Sequence, residues 1–222
     1  MARLLLEVLT PIAKSFPSEW CLEANSLAIQ VHGGYGYTRD FPVEQYWRDN
    51  RLNMIHEGTH GIQAMDLLGR KVLMENGRGL QLLAERVLAT ADRADALAAA
   101  AATTETAKLA NSATPIGSPE AAALRQALQQ IDQATRSAWQ GAEPAQALAN
   151  AVPYMQAFGH TVIAWIWLDV ANSQAVMNTP AAQGRSAACR YFFRYELPKI
   201  GAWLSVVSSR DSTCADLPEE AF

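Results

Sequence analysis

The stretch 18–37, SEWCLEANSLAIQVHGGYGY, decides the fold class of this sequence. Its large or apolar residues recur at helical spacing, at Trp20, Ala24, Leu27 and Val31. Apolar residues at this period form one face of an amphipathic helix, and glycine just past the last turn is a common helix stop. We therefore predict a helix that opens at Ser18, after Pro17, and ends at Gly33 and Gly34, with residues 1–16 forming the end of another helix.

Helical periodicity continues on both sides of this stretch, and no segment shows the period-2 alternation expected of a strand. We predict a short helix restarting at Pro42 and breaks at Glu57–Gly58 and Asn76–Gly77. One apolar face is predicted downstream of Gly61 and consists of Ile62, Met65, Leu68 and Val72. The stretch 154–176 is apolar around most of its circumference, which predicts a central helix packed on several sides. The fold class is therefore all-α.

The helical pattern divides into four parts. We predict a helical bundle over residues 1–93, an Ala-rich connection over 94–117, a second helical region over 118–209 and a tail over 210–222. The connection is placed there because 94–113 is rich in Ala and Thr and has few large side chains to pack.

Composition narrows the functional classes. Half of the 222 residues are apolar and 18% are charged, which excludes a disordered chain. The net charge of -4 argues against nucleic-acid binding. The three cysteines are far apart in sequence and contain no CxxC pair, so neither a disulfide framework nor a thiolate metal site is indicated. No stretch reaches the roughly 20 apolar residues of a membrane span, and we expect a cytoplasmic protein.

His56-Glu57-Gly58-Thr59-His60 matches the zinc motif H-E-x-x-H. That chemistry requires a regular helix through both His residues, so that they project from one face. The pentapeptide contains a Gly and is followed by another, and each interior Gly costs about 1 kcal/mol of helix stability relative to Ala. A zinc hydrolase is therefore kept as a distant alternative, and no metal site is predicted.

A longer set of motifs surrounds this pentapeptide. QVHGGYGY at 30–37, FPVE at 41–44, RD at 48–49 and IHEGT at 55–59 occur in order. Together they resemble the C-terminal helical domain of the flavin-dependent acyl-CoA dehydrogenases, more loosely over residues 1–90. The remainder resembles the additional C-terminal helical domain of the subgroup that includes the 3-methylmercaptopropionyl-CoA dehydrogenases, through FGHTVIAWIWL and RYFFRYELP.

The resemblance implies roles for five residues. Glu57 corresponds to the catalytic base, which takes the α-proton of an acyl-CoA thioester while a hydride leaves the β-carbon for the flavin. Gln30, Gly33 and Gly34 correspond to the element that contacts the dinucleotide part of an FAD bound mainly by the neighbouring subunit. Thr59 corresponds to a Thr near the flavin. The implied partners are acyl-CoA, an electron-transfer flavoprotein and further copies of the chain in a homo-oligomer.

The sequence also departs from the family pattern. His56 stands where many members have Tyr, Gln45 where a basic residue is common, and Gly61 at a position that is often polar. Nothing in the chain resembles the family's N-terminal helical domain or its middle β-domain, so a separate polypeptide carrying them is one possible partner. We expect this chain alone to be folded, helical and inactive, with weak or absent FAD binding. A non-catalytic helical assembly module remains the alternative to a dehydrogenase.

Overall fold

The computed structural model describes residues 1–103, 117–175, 177 and 179–221. Within these ranges the chain is helical and contains no strand, which confirms the all-α prediction. No helix in the same ranges is long and apolar enough to cross a membrane. The chain divides into two compact units, Met1–Gly79 and Leu80–Phe222, which are described separately.

The first unit is built along one long helix, α1 (Ala2–His32). The prediction of a helix opening at Ser18 is wrong, because α1 runs without a break through Pro11 and Pro17. Each interior proline removes one backbone hydrogen bond and costs roughly 3 kcal/mol. Burial of one face offsets this cost along the N-terminal half of the helix, at Leu4, Val8, Pro11, Ile12 and Ser15. The predicted stop is confirmed, since α1 ends at His32 and Gly33, whose φ is 62°, is its C-cap.

The remaining elements of the first unit run back along α1, from its C-terminal end towards its N-terminal end. A 3-10 turn (Gly33–Tyr37) leads to α2 (Val43–Asn50), a second 3-10 turn (Arg51–Met54) and α3 (His60–Asp66). Residues progressively later in this segment bond to residues progressively earlier in α1. The pairs are Tyr46 with Asn25, Asn50 with Ser18, Gly58 with Lys14, Lys71 with Glu7, and Glu75 with Arg3. The segment is therefore antiparallel to α1 over most of its length.

A π-turn (Leu67–Lys71) follows α3 and changes the helical phase. Leu68 and Val72 are buried, whereas Ile62 and Met65 are about half exposed, at 53% and 42%. The single predicted face is therefore wrong, because a π-turn inserts one extra residue and rotates the residues after it about the helix axis. The turn also buries Lys71, whose ammonium pairs with the Glu7 carboxylate and lowers the pKa of that carboxyl.

Helix α4 (Met74–Thr103) contains the break predicted at Asn76–Gly77. Glu75, Asn76 and Gly77 have φ values of 49°, 56° and 80°, so the regular helix restarts after them. The division between the two units falls at 79/80, whereas the boundary predicted from the sequence lies after residue 93. The Ala-rich residues 94–103 continue α4. The rest of the predicted connection, at 104–116, lies outside the described residues.

The second unit contains α5 (Ser118–Trp139), α6 (Pro144–Leu148), α7 (Ala151–Ser173), α8 (Pro180–Tyr191) and α9 (Ile200–Ser209). A π-turn (Phe192–Glu196) and a 3-10 turn (Leu197–Lys199) join α8 to α9. Helices α5, α7 and α9 pack on one another, and α8 packs on α7. As predicted, α7 is central. Its buried residues include Tyr154, Phe158, His160, Val162 and Leu168.

Two polar contacts, one buried and one partly buried, join helices of the second unit, including the part of α4 after Gly79. The Tyr154 hydroxyl lies 2.7 Å from Thr135 Oγ1, which donates to the carbonyl of Ile131 at 2.7 Å. Since the single Thr135 proton is used there, Tyr154 is the donor in the first bond. Burial raises the pKa of Tyr154 far above its ordinary value. The second contact is the Trp165 indole, which donates to Thr90 Oγ1 at 2.9 Å.

Candidate functional site

Glu57 lies at the tip of a tight turn between the second 3-10 turn and α3. Glu57 and Gly58 have φ values of 55° and 93°, which confirms the helix break predicted at this position. A non-glycine residue in the left-handed region costs roughly 1–2 kcal/mol. The Glu57 side chain is exposed, and among the described residues its carboxylate has no hydrogen bond or ion pair. The carboxylate is therefore free to meet a ligand.

Two side chains from other elements hold the backbone of this turn. Gln63, on α3, donates from Nε2 to the carbonyl of Glu57 at 3.2 Å. Lys14, on α1, donates from Nζ to the carbonyl of Gly58 at 2.5 Å. Both carbonyls lie outside regular helix, so these side chains supply partners that helical geometry would otherwise provide. Neither residue is singled out by the sequence, since their contacts depend on tertiary packing.

Glycine is required at position 58 for two reasons. Its φ of 93° is one that residues with a side chain rarely adopt. A Cβ added there would also lie 2.9 Å from Gln63 Nε2. The absence of a side chain thus lets Gln63 reach the Glu57 carbonyl.

Thr59 and His60 begin α3. Thr59 is the N-cap residue, yet its side chain makes no capping hydrogen bond, so its hydroxyl is available to a ligand. Both ring nitrogens of His60 are shielded from solvent and have no hydrogen-bond partner in the part of the chain that the structure describes. Burial lowers the pKa of His60; the nearby Glu19 carboxylate opposes that shift, and Lys14 and Arg51 add to it.

The H-E-x-x-H pentapeptide does not form the helix that the zinc hypothesis requires. Glu57 and Gly58 are left-handed and the helix begins only at His60, so the two His side chains are not one helical turn apart on a common face. The His56 ring instead donates from Nδ1 to the carbonyl of Leu52, at 3.1 Å. Within the described ranges no three His, Cys, Asp or Glu side chains cluster as metal ligands.

Gln30, Gly33 and Gly34 lie at the other end of α1. All three are exposed, and a Cβ added at either glycine would meet nothing within 4 Å. The exposed Gln30 amide and an unobstructed glycine backbone suit polar contacts to one edge of a dinucleotide. They do not form an enclosed pocket.

The two groups of predicted site residues are far apart. The Glu57 turn contacts α1 through the hydrogen bond from Lys14. Gln30 lies 16 residues further along that helix. At 1.5 Å per residue this is about 24 Å. The structure therefore brings Glu57 and Thr59 together, but does not bring them near Gln30, Gly33 and Gly34.

Gln45 and Gly61 are the other two positions at which the sequence departs from the family pattern. Gln45 is exposed on α2 and its Nε2 is 3.4 Å from a carboxylate oxygen of Asp49. Gly61 is the second residue of α3, and the atom nearest to a Cβ added there is Thr59 Oγ1 at 4.0 Å. Neither residue is in a strained conformation.

The second unit contains an apolar cavity. It is lined by Leu80, Leu83, Val87, Leu128, Ile131, Phe158, Thr161 and Val162. The Thr161 hydroxyl donates to the carbonyl of Ala157 at 2.9 Å, so its proton is not available to a ligand. The cavity lacks the few convergent polar groups that usually orient a ligand, and we assign no site to it.

Two family profiles together cover most of the chain. The profile described as "Acyl-CoA dehydrogenase, C-terminal domain" matches residues 3–73. The profile described as "Acetyl-CoA dehydrogenase C-terminal like" matches residues 70–218. Their junction lies close to the division between the two structural units at 79/80.

Three curated relatives illustrate the similarity. The chain is 35% identical over 164 residues to the 3-methylmercaptopropionyl-CoA dehydrogenase of Ruegeria pomeroyi, covering 74% of this chain and 26% of that protein. It is 26% identical over 224 residues to the broad-specificity linear acyl-CoA dehydrogenase FadE5 of Mycobacterium tuberculosis, covering 97% and 35%. It is 45% identical over 58 residues to the caffeyl-CoA reductase-Etf complex subunit CarC of Acetobacterium woodii, covering 26% and 15%. The chain thus spans about a third of these relatives or less.

Proposed function

The chain belongs to the acyl-CoA dehydrogenase family, and from this premise we propose that it forms the C-terminal part of an FAD-dependent acyl-CoA dehydrogenase in which Glu57 is the base. The observation that carries the proposal is the turn at Glu57. An exposed carboxylate, with no partner among the residues that the structure describes, stands on a backbone held by Gln63 and Lys14. A general base needs this combination of a defined position and an available carboxylate.

In the proposed reaction the Glu57 carboxylate takes the proton from the α-carbon of an acyl-CoA thioester. The electrons of that C–H bond form the new α,β double bond as the β-carbon loses a hydride. A bound FAD would supply the two-electron acceptor for this hydride. The role of the chain's own residues is to place the carboxylate beside the α-carbon.

The flavin contacts of this chain are proposed at two places. Thr59 has a hydroxyl unused by helix capping, and Gln30, Gly33 and Gly34 form an open polar edge. Because about 24 Å of α1 separates these places, we propose that they serve different flavins, one held mainly by a neighbouring copy of the chain. This arrangement requires a homo-oligomer.

We further propose that an electron-transfer flavoprotein reoxidises the flavin. The support is the similarity to a relative whose name places it in an Etf complex. We propose an acyl-CoA substrate for the same kind of reason, because two of the relatives described above are named as acyl-CoA dehydrogenases.

The test of the base is Glu57→Gln in the assembled, flavin-loaded enzyme that contains this chain. Gln has nearly the same shape but cannot accept the α-proton, so turnover of a panel of straight-chain acyl-CoA thioesters should fall by roughly 10²–10⁴-fold with flavin content unchanged. His60→Ala is the control, with little effect expected. Turnover near wild type in Glu57→Gln would refute the proposal, and loss of a bound metal with activity in His60→Ala would favour a zinc enzyme instead.

We also propose that the 222-residue chain by itself holds FAD weakly. Each polar contact contributes about 0.5–1.5 kcal/mol net, whereas association costs an estimated 4–15 kcal/mol or so. The few contacts from Gln30, Gly33, Gly34 and Thr59 cannot offset that cost. A yellow preparation with stoichiometric flavin after long dialysis would contradict this expectation.

A further inference from the structure

The turn that carries Glu57 is fixed from outside itself. Glu57 and Gly58 have positive φ values, and their carbonyls accept hydrogen bonds from side chains of other elements. The next carbonyl, that of Thr59, already accepts the backbone N–H of Gln63 as the first bond of α3. The two carbonyls ahead of the helix are therefore the ones that need side-chain donors.

The two donors approach from different directions. Gln63 lies one helical turn beyond Thr59, so its amide reaches back over the turn to the Glu57 carbonyl. Lys14 comes from α1, and its half-buried stem carries the ammonium to the Gly58 carbonyl. The Glu57 carboxylate has no partner of its own in the described parts of the chain, so the turn constrains it only through the position of Cα and the direction of the Cα–Cβ bond.

We propose that Lys14 and Gln63 are positioning residues, which hold the Glu57–Gly58 turn so that the Glu57 carboxylate points at the α-carbon of the substrate. This inference rests on the proposed function of Glu57. Neither residue touches the reacting atoms, and each acts through one backbone carbonyl. Small displacements of a reacting group can cost on the order of 10²-fold in rate.

The two positioning residues can be tested by removing each donor while keeping the size of the side chain. Lys14→Met keeps the stem but loses the ammonium, and Gln63→Leu keeps the branch but loses the amide. In the assembled, flavin-loaded enzyme we expect each variant to lower kcat by roughly 10–100-fold, with KM changed much less. With α-deuterated acyl-CoA the isotope effect on turnover should increase, because proton abstraction becomes slower. Lys14→Arg, which restores a donor, should recover most of the rate.

A matched control is available on the same helix. Arg3 on α1 pairs with Glu75 at 2.6 Å, in a contact far from the turn. Arg3→Met removes an α1 cation from the same unit and should leave kcat and the isotope effect unchanged. A purely structural role for Lys14 and Gln63 would lower the yield of folded enzyme without changing the isotope effect.

The outcomes separate this inference from the proposed function. If Glu57→Gln retains turnover, the proposed function fails and the inference fails with it. If Glu57→Gln is inactive but Lys14→Met or Gln63→Leu keeps wild-type kcat and isotope effect, only the inference is overturned. If Lys14→Met does not fold, Lys14→Gln replaces it, since the shorter amide cannot span the same distance. Full activity in that variant would equally overturn the role of Lys14.

Discussion

Gly58→Ala tests directly how the turn at Glu57 is stabilised. A residue with a side chain in the left-handed region costs roughly 1–2 kcal/mol. The new Cβ would lie 2.9 Å from Gln63 Nε2 and displace it, which removes the bond to the Glu57 carbonyl and costs a further 0.5–1.5 kcal/mol or so. Reduced freedom of the unfolded chain returns about 0.4–1 kcal/mol. We expect a net destabilisation of roughly 0.5–3 kcal/mol.

Urea unfolding followed by far-UV circular dichroism measures this loss. Gly61→Ala is the matched control, because Gly61 lies three residues away in a regular helix with no atom closer than 4.0 Å to its new Cβ. That variant should be stabilised by about 0.5–1 kcal/mol. If the two variants differ in unfolding free energy by less than about 0.5 kcal/mol, the size of an ordinary surface effect, the contributions assigned to backbone strain and the Gln63 bond are refuted.

Two further predictions concern buried polar groups. Thr135→Val should destabilise the fold by about 1–3 kcal/mol, because it leaves the Tyr154 hydroxyl buried without its acceptor. Tyr154→Phe removes only the donor and should cost about 0.5–1.5 kcal/mol. Urea unfolding measures both losses, and a larger loss in Tyr154→Phe would contradict this reasoning. Burial lowers the pKa of His60, although the nearby Glu19 carboxylate opposes the shift. The folded state therefore favours the neutral imidazole, and the stability that neutral His60 contributes is present above about pH 6.5 and is lost as the pH falls below that value. The unfolding free energy of wild type relative to His60→Asn should therefore decrease between about pH 7.5 and 5, and a constant difference would show that His60 titrates alike in both states.

In the first unit, the sequence predicts where helices end better than it predicts where a helix continues. Gly33, Gly58 and Gly77 all have positive φ, and glycine there is a local signal visible in the sequence. The passage of α1 through Pro17 is not visible, since an interior proline is a local signal for the end of a helix and nothing near it in the sequence indicates that the helix continues. The π-turn at Leu67–Lys71 is likewise hidden, because it inserts a residue without any distinctive residue type.

In the candidate site, too, the residues of a local motif can be predicted from the sequence, whereas residues that reach it by tertiary packing cannot. Glu57 and Thr59 stand in a short motif that can be recognised without a structure. Lys14 lies 44 residues from the carbonyl it binds, and no spacing rule connects the two. The roughly 24 Å along α1 between Lys14, which bonds to the Glu57 turn, and Gln30 could not be predicted either, since it depends on α1 being one helix.

Because the backbone of Glu57 is left-handed, the residue that would make the fold most stable at this position is not the residue that the proposed activity needs. Glycine adopts this conformation without strain, so Glu57→Gly should stabilise the fold by up to about 1 kcal/mol while removing the proposed base. A population of variants selected only for heat resistance would therefore lose glutamate at this position. Glutamate should persist there only under selection that also requires turnover.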